Sequence, residues 1–380
     1  MKILIAPDKF KESLSAKQVA SAISRGIIRA VPNAQIELCP MSDGGEGMVE
    51  TILDFLGGER RRVVVTGPMG EKVKAEYGIL QGKTAVIEIS SAAGLWMVPV
   101  EKRNPMLTTT YGVGELIRDA VNWKVSKIII GVGGSATNDG GTGIAKALGI
   151  RFLDDENREL GFGGQILSRI RRIDTSKMDS NIVNIEVIAA CDVVNPLYGK
   201  NGAAYVYAPQ KGASPDMVKE LDNGLRNYAS VIKREIRFDV TNIPGVGAAG
   251  GIGVGLVSFL GAKLMPGVEI IAEIVGLRDR IKSVDLVVTG EGKIDGQTIS
   301  GKTLFGVASI AKEIGKPVIA FAGSIEENAI SLHDNGILAM FSITGGPISL
   351  SESLKKADRM LERTAEEVFR LINLASSMRK

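Results

Sequence analysis

The chain of 380 residues carries 46 basic and 43 acidic side chains mixed along its length, so its formal charge of +3 indicates neither a nucleic-acid nor a membrane partner. Its length exceeds what one ordinary hydrophobic core supports, which predicts two domains. Two cysteines exclude a disulfide framework and a cysteine-based zinc site, and no apolar run reaches the roughly 20 residues that span a bilayer. We therefore expect a cytoplasmic globular protein in which any metal ion binds to oxygen.

The single histidine, His333, lies in a predicted helix end or loop remote from every glycine-rich motif, where we expect a surface or capping role. Histidine is the commonest general base in enzymes. Its scarcity therefore points to chemistry that runs on carboxylates, lysines, backbone amides and a hard cation.

The first sixty residues alternate between strand and helix patterns. Residues 2–6 and 36–39 are short apolar runs that read as buried strands. Between them, Ser15 and Gln18 make a capping box that predicts a helix directly after it, and a second helix is predicted over 48–56. Such alternation predicts a parallel sheet covered by helices.

The periodicity changes after Arg62, where short strands separated by tight-turn residues predict an antiparallel meander. The remaining predicted elements are strands at 63–65, 73–80, 84–89, 127–130, 186–190, 285–288, 317–321 and 337–343, and helices at 112–122, 143–148, 303–314 and 351–374. We predict an α/β protein with a Rossmann/flavodoxin-like parallel-sheet domain, residues 1–62 plus 265–380, interrupted by an inserted mixed-sheet domain, residues 63–264.

Polar side chains follow the first two predicted strands, and ligands of open α/β sheets bind at the carboxyl ends of strands. Asp8, Lys9, Lys11 and Ser13 follow the first strand. They suit a small anionic substrate or a phosphate group, or they form a solvated charged turn. Asp43 opens a glycine-rich loop after the second strand, placed either to bind Mg²⁺ or a substrate hydroxyl, or to cap the next helix.

A glycine-rich segment, residues 131–141, follows the predicted strand 127–130 and precedes a helix. In this position, backbone N–H groups and a helix N-terminus bind phosphate. The phosphate-binding candidates are Gly133, Gly134, Ser135, Thr137 and Asn138. A purely structural turn is the alternative. The segment lacks the acidic residue that completes a dinucleotide fingerprint.

Two later strand ends carry carboxylates. Asp192 follows the predicted strand 186–190, and Glu291 and Asp295 follow the strand 285–288. These carboxylates are candidate bases or metal ligands, and an ordinary polar turn is the alternative in both places.

Residues 296–303, GQTISGKT, match the P-loop pattern G-x-x-x-x-G-K-T. A P-loop begins directly after its strand, whereas seven residues separate Val288 from Gly296, so the context argues against a true P-loop. Lys302 is then expected to contact phosphate within another fold or to cap its loop.

Together these features indicate phosphoryl transfer, in which catalysis is mostly positioning and charge stabilisation and needs no histidine. Two rival functions stay open: an NAD-linked dehydrogenase of 2-hydroxy acids and a non-enzymatic solute-binding module. The chain lacks the N-terminal G-x-G-x-x-G motif and the histidine near a strand end that the dehydrogenase would need. A solute-binding module would gain nothing from several carboxylates without a metal.

Five motifs, in order, resemble those of the bacterial glycerate kinase type-1 family. They are APDKFKESL at 6–14, SDGGEG at 42–47, GGSATNDGG at 133–141, CDVVNPL at 191–197 and TGEGKIDGQT at 289–298. The resemblance spans the whole chain. It implies phosphorylation of D-glycerate that depends on ATP and Mg²⁺, with 2-phospho-D-glycerate favoured over the 3-phospho ester, in a cleft between two α/β domains.

Within that resemblance, roles are predicted on physical grounds. Asp192 or Asp295 is expected to act as the base, and Lys9 is expected to be catalytic. The other assignments are Asp8, Lys11 and Ser13 to the substrate, Gly133, Gly134, Ser135, Thr137, Asn138 and Lys302 to ATP, and Asp43 and Glu291 to the metal. The sequence leaves open the choice of base and whether the protein forms a homodimer.

Overall fold

The computed structural model describes residues 1–45, 47–81, 83–295 and 303–378. The strands are β1 Lys2–Ile5, β2 Gln35–Leu38, β3 Glu59–Thr66, β4 Lys72–Leu80, β5 Thr84–Glu88, β6 Lys127–Gly131, β7 Arg151–Leu153, β8 Arg172–Asp174, β9 Glu186–Ala190, β10 Lys263–Met265, β11 Leu286–Ile294, β12 Val318–Ile325 and β13 Ile337–Ser342. The α-helices are α1 Ala16–Ala30, α2 Met48–Leu56, α3 Ser90–Ala93, α4 Tyr111–Asn122, α5 Thr142–Ala147, α6 Ala203–Tyr207, α7 Pro215–Glu235, α8 Ala248–Leu260, α9 Gly267–Ile274, α10 Leu277–Lys282, α11 Thr303–Ile314 and α12 Leu350–Ser377.

The chain divides into two compact units, residues 1–43 with 267–380 and residues 44–266. The sequence prediction placed the joints at 62/63 and 264/265 instead. The first joint differs because β3 pairs with β4 along its whole length, which brings residues 44–62 into the second unit.

The sheet of the first unit has five parallel strands in the order β13-β12-β11-β1-β2. Numbered within this unit alone, the order is 2-1-3-4-5, which is the flavodoxin-like topology. The predicted parallel-sheet architecture is confirmed. The strand order reverses between β1 and β11, where Ile5 lies beside Val288. Ligands of such sheets bind outside the carboxyl ends of the two strands at this switch point.

Helices α1 and α12 pack against each other in the first unit. The predicted capping box begins α1, since Ser15 Oγ accepts from Gln18 N at 3.3 Å and Gln18 Oε1 accepts from Ser15 N at 2.9 Å. Gly26 allows α12 to approach closely, because a Cβ there would lie 2.2 Å from the Glu362 carbonyl oxygen. This contact fixes α12 along α1.

The main sheet of the second unit has six strands in the order β10-β9-β6-β5-β4-β3. Strands β3, β4 and β5 run antiparallel, as the predicted meander requires. Strands β5, β6, β9 and β10 run parallel. The mixed sheet is therefore confirmed, and the carboxyl ends of β5, β6 and β9 lie along one edge.

Strand β11 is longer than the sequence predicted, because it pairs with β12 as far as Ile294. Glu291 lies opposite Ala322 and Lys293 opposite Ser324, so both predicted loop residues are on a strand. The glycines within 290–292 obscure this strand in the sequence, since glycine is depleted in strands and only the neighbouring strand reveals the pairing.

The longer strand also removes the reason given against a P-loop. Asp295 alone separates the end of β11 from Gly296, not seven residues. The motif itself, with Lys302, lies outside the described residues. Helix α11 begins at Thr303, its last position.

The two cysteines and the single histidine occupy ordinary structural positions. Cys39 and Cys191 are buried and form no disulfide. His333 is exposed near the end of a 3₁₀ helix, and its Nδ1 lies 2.8 Å from the carbonyl oxygen of Ile337, the first residue of β13. Within the described ranges, no helix is long and apolar enough to cross a membrane.

Candidate functional site

The loop after β1 is held by its own backbone. Phe10 N donates to the Leu14 carbonyl at 2.8 Å and Ser13 N to the Phe10 carbonyl at 2.9 Å. Glu12 adopts a φ of 63°, a left-handed conformation that is strained for a residue with a side chain. Ser13 Oγ donates to the Leu354 carbonyl at 2.7 Å, which ties the loop to α12. Strain of this kind concentrates at functional sites.

Asp8 is a buried carboxylate at the switch point, with 8% of its surface exposed. Its Oδ1 accepts from Lys9 N at 2.7 Å and its Oδ2 from the Thr303 hydroxyl at 2.5 Å. Burial, assisted by the nearby charge of Asp43, raises the pKa of Asp8 from 3.8 to about 6. A carboxylate in this state is suited to accept a proton or to bind a cation.

A cavity of about 610 Å³ lies at this edge of the first unit. Six residues that the sequence predicted for the site line it: Asp8, Lys9, Lys11, Ser13, Asp43 and Glu291. They come from three separate chain segments. The structure brings them together because the carboxyl ends of neighbouring parallel strands share one edge of the sheet.

Asp295, one of the two predicted bases, lies just beyond β11. Its Oδ2 is 3.7 Å from Lys293 Nζ, which also lies 2.5 Å from a carboxylate oxygen of Glu326. Asp295 retains 15% side-chain exposure and lies outside the described lining of the cavity. The Asp295 carboxylate therefore lies next to the ammonium group of Lys293, which is also paired with Glu326.

The charged lining of the cavity suits a hard divalent cation. Mg²⁺ is usually bound by one or two carboxylates together with substrate phosphates and water. The charge of Asp43 disfavours ionisation of Asp8, and a cation near both groups would relieve that repulsion. Among the described residues, no group of three or more ligating side chains is close enough to enclose a metal. Phosphate oxygens would have to complete the coordination.

The glycine-rich segment after β6 presents little polar surface. Gly133 and Gly134 are accessible to solvent. The side chains of Ser135, Thr137 and Asn138, also predicted to contact phosphate, are buried, with at most 5% exposed. Those three groups consequently face the interior of the second unit.

Residues 249–251 at the start of α8 have positive φ and pack onto this segment. Ser135 Oγ donates to the Ala249 carbonyl at 2.9 Å. A Cβ on Gly250 would lie 2.1 Å from the Thr137 carbonyl oxygen, so only glycine allows this approach. The segment is therefore clamped from within its own unit.

Sequence reasoning missed Lys211, which lies in no recognisable motif. Its side chain is 2% exposed, and its Nζ donates to Ser135 Oγ at 2.8 Å and to the Thr137 carbonyl at 2.7 Å. Burial lowers the pKa of Lys211 to about 7, while the charge of Asp139 opposes the shift. The buried amine of Lys211 thus holds the glycine-rich segment in place through two hydrogen bonds.

Lys211 is expected to make stability depend on pH. The unfolded state binds its proton up to pH 10.5 and the folded state only to about pH 7. This destabilisation is therefore fully present below pH 7 and is relieved as the pH rises toward 10.5. Between pH 7 and 8.5, the unfolding free energy of the wild type should rise relative to Lys211→Met by about 1 kcal/mol per pH unit.

Urea titrations can measure this difference through tryptophan fluorescence, because Trp96 and Trp123 both lie in the second unit. Lys200→Met, at an exposed lysine of the same unit, serves as the control and should keep the wild-type slope. Equal slopes in the wild type and Lys211→Met would show that the amine is fully protonated throughout this range.

Asp192, the other predicted base, is an exposed residue just beyond β9. The turn that carries it is braced: Cys191 Sγ donates to the Val193 carbonyl at 3.3 Å, and the Tyr207 hydroxyl donates to Asn195 Oδ1 at 2.6 Å. Asp192 is therefore held on a braced turn at the carboxyl edge of the second sheet.

Known proteins resemble the whole chain. The model of the glycerate kinase family matches residues 3–373. Glycerate kinase from Halalkalibacterium halodurans is 50% identical over 367 residues, 96% of this chain and 97% of its own. Glycerate 2-kinase from Escherichia coli K12 is 49% identical over 358 residues, 94% of each chain. A solved structure described as a glycerate kinase 2 from Salmonella typhimurium LT2 superposes with a TM-score of 0.90 at 44% identity, covering 99% of both chains.

Proposed function

The chain belongs to the glycerate kinase family, and we propose that it transfers the γ-phosphoryl group of ATP to the 2-hydroxyl of D-glycerate with Mg²⁺. The cavity at the switch point carries the proposal, because carboxylates and lysines meet there. Phosphoryl transfer needs little more than such positioning and charge. The name of the E. coli relative specifies a glycerate 2-kinase, which favours the 2-phospho product.

The residues of the cavity have distinct parts in this proposal. Asp43 and Glu291 would hold Mg²⁺, which when bound would neutralise charge on the phosphoryl oxygens. Lys9 and Lys11 pair with phosphate or with the carboxylate of glycerate. Asp8 accepts a hydrogen bond from a substrate hydroxyl, and Ser13 holds the loop that carries it.

The proton of the attacking hydroxyl passes to a carboxylate, either Asp192 or Asp295. The glycerate oxygen forms the new O–P bond while the bond between the γ-phosphorus and the bridging oxygen breaks, and ADP leaves. A positioned carboxylate base typically contributes 10²- to 10⁴-fold to such a step.

A coupled assay of ADP release with ATP, Mg²⁺ and D-glycerate tests the proposal, followed by ³¹P NMR of the product. We expect release that depends on glycerate, and a phosphorus doublet from the single proton on carbon 2. A triplet would instead place the ester on carbon 3 and refute the 2-hydroxyl assignment. D-Lactate and 3-hydroxypropanoate, which each retain one of the two hydroxyls, are matched controls. No release with any of these acids would reject the kinase activity for this chain.

A further inference from the structure

The cavity in the first unit is larger than a three-carbon acid requires. Its volume of about 610 Å³ falls within the range of 300–1,000 Å³ that is typical of sites for drug-sized ligands. D-Glycerate would fill a small part of this space. The size alone indicates a larger ligand, either instead of glycerate or beside it.

Part of the cavity lining is apolar and comes from the segment that joins β13 to α12 and from the first turns of α12. Its residues are Ile343, Ile348, Leu350, Leu354 and Ala357. Leu350, the first residue of α12, leaves 74% of its surface exposed. Glycerate has almost no apolar surface to cover such side chains, whereas a purine base and a ribose have.

The polar part of the lining suits phosphates and their metal. Asp8 lines the cavity beyond β1, and behind the lining the fully buried Thr303, the first residue of α11, donates its hydroxyl to Asp8. Lys9 and Lys11 add positive charge on the same lining.

We infer that this cavity is the nucleotide site, with adenine and ribose against the apolar residues that follow β13 and begin α12, and the phosphates toward Lys9 and Lys11. The inference rests on the proposed function. It moves ATP away from the glycine-rich segment after β6, where Ser135, Thr137 and Asn138 are buried within the second unit.

A cavity of about 550 Å³ beside the exposed indole of Trp96, in the second unit, is a competing site. Its arginines are less available to phosphate, since Arg60 lies 2.5 Å and Arg62 lies 3.5 Å from oxygens of Glu76. An indole and two arginines are present there, but Glu76 partly neutralises the charge of the arginines. The first unit therefore remains the stronger assignment.

Calorimetric titration of ADP with Mg²⁺, in the absence of glycerate, tests the apolar contact. Leu350→Ser removes apolar surface from an exposed position, so the fold is preserved, and Leu350→Asp adds charge where the helix dipole tolerates it. We expect the Kd of ADP to rise about 10-fold in Leu350→Ser and further in Leu350→Asp, with the KM of glycerate unchanged. Leu371→Ser, at a residue 64% exposed on the same helix, is the control and should match the wild type.

Photolabelling with 8-azido-ATP locates the base directly. Attachment within residues 337–357 supports the inference, whereas attachment near Trp96 or within 131–141 overturns it. An unchanged Kd of ADP together with a raised KM of glycerate in both Leu350 variants also overturns it, because the cavity would then belong to the acid. Either of these overturning results would still be compatible with glycerate kinase activity. Absence of ADP release in the coupled assay would instead reject the proposed function, independently of where the nucleotide binds.

Discussion

Replacement of Asp8 by asparagine is expected to stabilise the folded chain while it reduces turnover by about 10²-fold or more. The folded state holds the proton of Asp8 up to about pH 6, whereas the unfolded state releases it near pH 3.8. The stability that this group contributes is therefore fully present below pH 3.8 and is lost as the pH rises through 6. At pH 7.5 the ionised carboxylate costs as much as about 3 kcal/mol, which asparagine avoids.

Urea unfolding in buffer containing EDTA measures this effect without bound metal. The stability difference between Asp8→Asn and the wild type should be largest at pH 7.5 and should shrink between pH 6 and 4. Asp334→Asn, at an exposed aspartate of the same unit, should change neither stability nor turnover. An Asp8→Asn protein less stable than the wild type at pH 7.5 would show that Asp8 is retained for structure.

A large loss of turnover is also expected when one of the two candidate bases, Asp192 or Asp295, is substituted. Asp192→Asn and Asp295→Asn remove a proton acceptor without changing side-chain volume, and the one that replaces the true base should lose about 10²-fold or more in kcat. The KM values should change little, because the loss arises in the transition state. Measurement of kcat, and of KM for D-glycerate and for ATP, separates this outcome from weakened substrate binding.

Asp155→Asn, at an exposed aspartate of the second unit, controls for the loss of one negative charge. Circular dichroism and thermal unfolding establish that each variant is folded. Near-normal turnover in both Asp192→Asn and Asp295→Asn would rule out both residues as the base. Asp8, buried and with a pKa of about 6, would then be the next candidate.

Most of the secondary structure could be predicted because its signals are local. The capping box of Ser15 and Gln18 spans four residues and begins α1 as expected. Helix α2 and strand β9 also occupy their predicted residues, at Met48–Leu56 and Glu186–Ala190. The extension of β11 through Glu291 was missed because a neighbouring strand stabilises it, and nothing within the segment indicates that partner.

The sequence predicted several residues of the candidate site, but it did not predict which side chains are exposed and which are buried. Strand-end loops identified Asp8, Asp43 and Glu291, and the structure places all three on one cavity. The same reasoning selected Ser135, Thr137 and Asn138 on the glycine pattern, yet their side chains are buried. A glycine-rich turn before a helix is compatible with both phosphate binding and internal packing, and the pattern alone does not separate them.

By itself, the sequence determined the element types, the parallel and antiparallel segments and the carboxylate-rich strand ends, because these depend on residues a few positions apart. Only the tertiary structure decided the strand order, the burial of Lys211 and the pairing of Thr303 with Asp8 across 295 positions. A pKa of about 6 for Asp8 or about 7 for Lys211 follows from the removal of water by distant segments. That desolvation is a property of the folded chain, which no local pattern of residues encodes.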